Sequence, residues 1–260
     1  MRGRYPPVTN REHAATLPGT PAAPLISSVA DLQGLWRRSL IAGPGRPSDT
    51  TTSVRWLQGP RAYVDLRQPT PLPDFSHVRS REDLTLEDCE WLARQEGFAG
   101  HLGFDGRHFE WFREIDFQPP APTADAGSLH WDGDVLIETG RDADYVEHWH
   151  RDTSVARTPT SLTDFQHPVA DRSRRVVPGA PAKRSVLLRV GPNFMYARDR
   201  AMPLDKGFRT LTEYIKTAPD LHHARELIDC EISFGTVEES IRRITASTLP
   251  YRIGALLEPE

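Results

Sequence analysis

The chain has 260 residues, 38% of them hydrophobic, and a formal net charge of −4. That length suits one large or two small domains with a sizeable core, and the acidic balance argues against a general nucleic-acid binder, which would show a basic face or stripe. Basic clusters at 171–175 (DRSRR) and at Lys183-Arg184 flank a Pro-rich stretch and read as a solvated linker. The two cysteines, Cys89 and Cys230, have no CxxC spacing, which indicates small core residues rather than a zinc ribbon or a disulfide framework. The N-terminus lacks the continuous apolar run of a secretion signal, and no segment approaches the ~18 apolar residues that span a bilayer. The expectation is a cytoplasmic protein with neither membrane nor nucleic-acid partners, for which a homodimer is an allowed assembly.

Residues 1–30 read as a flexible arm, the first 25 being rich in Pro, Thr and Ala without a period. Short strand-like runs follow at 35–41, 53–58, 62–68, 98–104, 108–118, 128–131, 135–138 and 145–151, separated by turn chemistry. FDGR and WDGD place Asp-Gly between two extended runs, the strongest short hairpin signal. One helix interrupts the series. Thr85 and Asp88 form a capping box, Leu86, Cys89, Leu92 and Ala93 repeat at helical spacing, and Gly97 is expected to end it. Its apolar face is expected to cover one mouth of the sheet.

These runs place a barrel over 31–152 and a connector with at most one short strand over 153–182. A smaller β-rich block at 183–260 has strands at 185–190, 193–197, 228–234, 241–247 and 251–256 and helical patterns at 207–217 and 221–227. Five strands alone would leave open edges, so this block either closes into a second barrel or extends the first sheet. The class is mainly β.

LQGLW at 32–36 sets Gly34-x-Trp36 at the entrance of the first strand, ahead of eight short strands in up-and-down order. Over residues 34–151 this resembles a lipocalin-like (calycin) barrel, in which the Trp plugs the closed end. The mid-meander helix and the lack of a disulfide pair resemble the intracellular members, a group that includes two-barrel cyclases and isomerases of natural-product biosynthesis. The resemblance implies a fold and a cavity and transfers no catalytic residue.

An eight-stranded barrel is filled by side chains or holds one small ligand, and each strand divides into two rows. The rows Ala62/Val64/Leu66 and Phe109/Trp111/Ile115/Phe117 are too apolar to be left wet. If they pack against the second block or the helix, the opposite rows line the cavity. Trp56, Gln58, Tyr63, Tyr145 and Trp149 would then bind substrate, and Asp65, Arg67, Glu114, Asp116 and Glu147 would carry acid–base chemistry. Aromatic walls with a few placed polar groups are the usual make-up of a small-molecule site. Carboxylates confined beside an arginine divide in pKa, one held ionised and another raised. The same residues could instead form structural ion pairs and water-bridged networks.

His148-x-His150 could place two imidazoles on one metal, with His101, His108, His130 or Glu138 as a third ligand, but no spacing selects one. Haem ligation by a histidine or Met195 lacks an attachment motif. There is no GxSxG elbow, no Walker loop and no GxGxxG, so no cofactor is indicated. Arg198, Asp199 and Arg200 with Glu231 and Ser233 suggest an ion network between domains. Three functions remain. The first is a cofactor-independent cyclase, isomerase or lyase acting on a hydrophobic, partly polar small molecule. The second is a non-catalytic carrier of such a ligand, and the third a metal- or haem-dependent oxidoreductase.

Overall fold

The two Asp-Gly sites reverse the chain where the turn chemistry requires it. In the second, Gly133 adopts φ 62°, a conformation most side chains avoid, and Asp132 pairs with Val135 across the turn. The computed structural model describes residues 26–153, 162–166, 184–204 and 209–257. All but the last five residues of the expected arm, and most of the expected connector, lie outside the described residues.

The meander closes. Its strands are β1 (Gly34–Gly43), β2 (Arg46–Asp49), β3 (Ser53–Gln58), β4 (Ala62–Gln68), β5 (Glu96–Phe104), β6 (Phe109–Asp116), β7 (Ala126–Asp132), β8 (Val135–Gly140) and β9 (Val146–Arg151). Neighbours pair antiparallel in the order β1-β3-β4-β5-β6-β7-β8-β9, and β1 pairs with β9 to complete eight strands. Strand β2 falls within the stretch expected to be a turn and folds back on β1 outside the ring, with Ile41 opposite Asp49. This architecture is consistent with a calycin-like fold.

A 3-10 turn, Val29–Leu32, closes one end. The indole N–H of Trp36 donates to the Leu32 carbonyl at 2.7 Å, and the Arg151 guanidinium lies over the Trp36 ring and donates to the Asp31 carbonyl. The first-strand tryptophan therefore occupies the closed end, as the resemblance implied.

Among the described residues the second block forms a six-stranded antiparallel sheet separate from the first. It runs β10 (Leu162–Gln166), β11 (Ser185–Val190), β12 (Asn193–Arg198), β13 (Glu231–Glu238), β14 (Ile241–Ser247) and β15 (Leu256–Leu257). Strand β10 comes from the expected connector. Gly235, one residue past the strand expected at 228–234, sits inside β13 at a register shift opposite Ile244.

Three helices accompany this sheet: α1 (Leu86–Leu92), α2 (Leu211–Lys216) and α3 (Leu221–Ile228). Thr85 accepts from the Asp88 N–H, so the capping box is present. The helix α1 does not cover a mouth of the barrel. Cys89 and Leu92 join one apolar layer with Leu211, Leu227 and Ile228 of the other helices and with Val186, Leu188 and Ile232 of the second sheet.

The barrel contributes Leu57, Val64, Leu66, Ala99, Ile115 and Phe117 to that layer. The outward rows of β3 and β4 are therefore buried because a second sheet covers them, which is why they are apolar although they face out. Gly97 lies inside β5 rather than ending the helix. A Cβ there would meet the Asp65 carbonyl at 3.0 Å and Ile232 at 3.1 Å, so its bare backbone lets the sheets approach. Charged groups seal the edge of the interface. Arg198 meets Asp229 at 2.8 Å and Arg81 meets the same carboxylate at 3.5 Å, while Arg200 donates to the Phe117 carbonyl. Of the expected network only Arg198 and Arg200 take part here. Glu231 pairs with Arg252 at 2.9 Å and Arg198 at 3.8 Å, Ser233 bonds Glu231, and Asp199 meets Arg184, all within the second block.

Candidate functional site

Strand period decides which side chains enter the barrel, and two bulges change its phase. In β9, Trp149 pairs with Arg38 and Glu147 with Ile41, all pointing inward. His148 and His150 then point out, and His150 contacts the Ser39 hydroxyl at 2.8 Å. The bulge in β1 falls between Arg38 and Leu40. It keeps Trp36, Arg38 and Ile41 on the inner face, a set that strict alternation cannot produce.

The bulge in β6 falls where Gly100 opposes Arg113 and Ala99 opposes Ile115, leaving Glu114 as the extra residue. Before it, Phe109, Trp111 and Arg113 point inward; after it, Ile115 and Phe117 point outward into the interlayer core. The expected single row is thus divided, and Phe109 and Trp111 move to the interior.

The lower interior is a continuous stack of indoles. Trp36 and Trp56 stack at 5.6 Å, Trp131 lies 5.9 Å from Trp36, and Trp111 and Trp149 approach Trp56 edge-on at 5.8 and 5.4 Å. Five of the six tryptophans meet here, and the sixth, Trp91, lies on α1 against Phe75. Each of the five stands on its own strand, on β1, β3, β6, β7 and β9.

Above the stack lies a cavity of about 100 Å³. Its apolar walls are Ile41, Trp56, Phe98, Trp111 and Trp149, and its polar groups are Asp65, Arg67, Arg113, Asp125, Glu138, Glu147 and Tyr145. Arg38 donates to Glu147 at 2.6 Å and also reaches Asp49 of β2 at 3.5 Å. Arg67 donates to Asp65 at 2.8 Å and to Glu147 at 3.5 Å, and Arg113 meets Asp125 at 2.6 Å and Asp116 at 3.0 Å. The guanidinium carbons of Arg113 and Arg67 lie 3.6 and 5.0 Å from the Phe98 ring centroid.

Glu138 and Glu147 are direct cross-strand partners on β8 and β9, both facing in and both buried. Tyr145 donates its hydroxyl to Glu138 Oε1 at 2.7 Å, and the Trp149 indole N–H donates to Oε2 at 3.0 Å. Burial, reinforced by the Glu147 charge, pushes the Glu138 carboxyl well above the usual carboxylate range. Burial also raises Asp65, against the opposing pull of Arg67, and raises Asp116 to about 6. The Tyr145 hydroxyl is raised too, first by burial and then by Glu138.

Six of the sequence-derived residues line the cavity: Trp56, Asp65, Arg67, Tyr145, Glu147 and Trp149. Asp116 sits at its edge through Arg113. Gln58 lies deeper, accepting from the Trp56 indole at 3.2 Å and donating to the Gly59 carbonyl, so it fastens the β3–β4 turn. Tyr63 is fully buried among the barrel aromatics, 6.0 Å edge-on from Phe98. Glu114 is on the outer surface, bonded to His101 at 3.2 Å, because the bulge turns it away. Arg38, Arg113, Asp125 and Glu138 join the charged network although no sequence motif marks them as acid–base groups. Among the described residues no group of three or more His, Cys, Asp or Glu side chains is placed to hold a metal, and Met195 is buried in the interlayer core.

No family model matches the chain, and no curated protein matches it either. Among solved structures, the chain is similar to the uncharacterized protein YLR301w from Saccharomyces cerevisiae. Identity is 12% and the TM-score 0.45, over 82% of this chain and 84% of that one.

Proposed function

We propose that the barrel binds a small molecule at its charged end and acts on it by proton transfer, as a cofactor-independent isomerase, lyase or cyclase. The observation that carries this reading is the inward pair Glu138–Glu147, one carboxyl driven toward its neutral form and the other in ion pairs with two arginines. Two buried carboxyl groups held side by side, one of them favoured in its neutral form, can give and take protons at one bound carbon centre. The aromatic walls orient the molecule, and the fixed network holds its geometry. An apolar cavity of ~150 Å³ holds benzene, so about 100 Å³ suits a ligand or a head group of at most about six non-hydrogen atoms. That favours compact substrates over long polyenes.

The test follows hydrogen–deuterium exchange from D2O into the C–H bonds of compact carbonyl and amino-carbonyl compounds by NMR. Wild type should exchange at least one of them, and Glu138→Gln should lose about 10²-fold or more of that rate. Exchange unaltered by Glu138→Gln, or no exchange across the panel, overturns the proton-transfer reading. A non-catalytic binder using the same cavity is the second reading. It is favoured by the closure of Asp65 and Glu147 on Arg67 and Arg38, and it predicts binding that is indifferent to Glu138→Gln with no exchange.

A further inference from the structure

The charges facing the cavity do not balance. Asp65, Asp125, Glu138 and Glu147 face Arg67 and Arg113, and the next shell adds Asp49, Glu96 and Asp116 against Arg38 and Arg200. Even with Glu138 neutral, the end of the barrel keeps an excess of carboxylates, so an anionic ligand would enter against the field. The Arg67 and Arg113 guanidiniums already bond these carboxylates and are not left open for a ligand's acid group.

The walls point to the same kind of ligand. The indole N–H groups of Trp149 and Trp56 are turned onto Glu138 and Gln58, and the Tyr145 hydroxyl is turned onto Glu138. These donors are consumed within the protein. What the walls chiefly offer a guest is π-surface from Trp56, Trp111, Trp149 and Phe98, together with carboxylate oxygens. Phe98 already serves as a seat for cations, with the Arg113 guanidinium carbon 3.6 Å from its centroid. Aromatic walls beside carboxylates, in a space this small, match an alkylammonium ion: the rings attract its charge, its methyl groups fill the apolar side, and any N–H finds an acceptor.

We infer that the cavity takes a small protonated amine, so that the substrate or ligand of the barrel is a compact ammonium compound. This rests on the small-molecule reading given above and names the ligand's chemistry.

The experiment titrates the full-length protein with trimethylammonium and tetramethylammonium chloride, with neutral tert-butanol and with anionic pivalate, at constant ionic strength. Tryptophan fluorescence and ligand NMR report binding. The ammonium ions should bind at least tenfold more tightly than tert-butanol, and pivalate should bind least. Asp125→Asn removes a partly exposed carboxylate and should weaken the ammonium ions several-fold while leaving tert-butanol unchanged. Trp149→Leu should weaken them by a similar factor, and circular dichroism would confirm that both variants fold. Glu138→Gln should retain ammonium binding while losing the exchange activity.

Equal or tighter binding of tert-butanol or pivalate overturns the amine inference and leaves the small-molecule reading intact. Competition by potassium as effective as by tetramethylammonium also overturns it, since the aromatic walls would then add nothing. Failure of every compound to bind removes both readings together. Ammonium binding without exchange of any amino-carbonyl compound keeps this inference and removes the proton-transfer proposal.

Discussion

The two halves of the barrel interior are built from opposite materials on the same strands. Below, Trp36, Trp56, Trp111, Trp131 and Trp149 touch one another, and the space is filled. Above, Arg38, Arg67 and Arg113 touch carboxylates and leave a cavity. Indole stacking supplies dispersion and area burial with little desolvation cost. Buried ion pairs give a weak net stabilisation, because each charge must first leave water. The lower half therefore holds the barrel together, and the upper half is retained at a cost in stability that a binding role would explain.

The contrast can be broken most sharply at its centre. Trp56→Ala removes the ring that touches three other indoles, and urea unfolding should show a loss of about 3–5 kcal/mol. A loss below about 1 kcal/mol would mean that the stack is not the core. In the upper half, Arg38→Met leaves Glu147 with only the longer contact to Arg67 and should cost about 3 kcal/mol. Adding Glu147→Leu should recover most of that loss, since an apolar pair of similar volume is often no less stable than a buried ion pair. A double variant as weak as the single one would contradict the electrostatic account.

The charged half should also respond to pH. Folding raises Glu138 above its ordinary value of 4.5, so the folded state holds more protons than the unfolded state in the window between the two values. Unfolding free energy must then fall as pH rises from about 4.5 through the raised value. Wild type should lose stability over that window, and Glu138→Gln should flatten the slope in chemical denaturation at a series of pH values. The smallest effect belongs outside the barrel. Glu114→Ala breaks only the half-exposed pair with His101, and it should change stability by less than about 1 kcal/mol and leave ligand binding untouched.

Much of this plan is readable from the residues. Asp-Gly turns and alternating runs give the meander, Gly34-x-Trp36 gives the closed end, and the over-apolar Val64/Leu66 row requires a covering layer. Inward rows came out as expected on β3, β4 and β9, where alternation is uninterrupted through Trp56, Asp65, Arg67, Tyr145, Glu147 and Trp149. Alternation breaks down at the bulges. One extra residue at Ser39 and one at Glu114 reverse the phase mid-strand, and no local motif marks either position. Strict alternation therefore sent Glu114 inward and Trp111 outward.

The remaining misses are matters of distance along the chain. Asp125 comes from the segment before β7, and its role follows only from meeting Arg113 twelve residues away. Glu138 was visible only as an alternative metal ligand, because its raised carboxyl depends on pairing with Glu147 across β8 and β9. The same holds for Gly97, which by sequence ends a helix and in the fold receives Ile232 from a strand more than a hundred residues later.

The contact between Trp149 and Trp56 also has a spectroscopic consequence. Their rings meet at 71° with centroids 5.4 Å apart, while the Trp149 N–H is tied to Glu138. Transition dipoles held this close couple into an exciton pair, and one member is hydrogen-bonded to the acid of the proposed chemistry. The near-ultraviolet dichroism of the native protein should therefore change shape when Glu138 gains or loses its proton, giving the barrel an intrinsic optical readout without an added label.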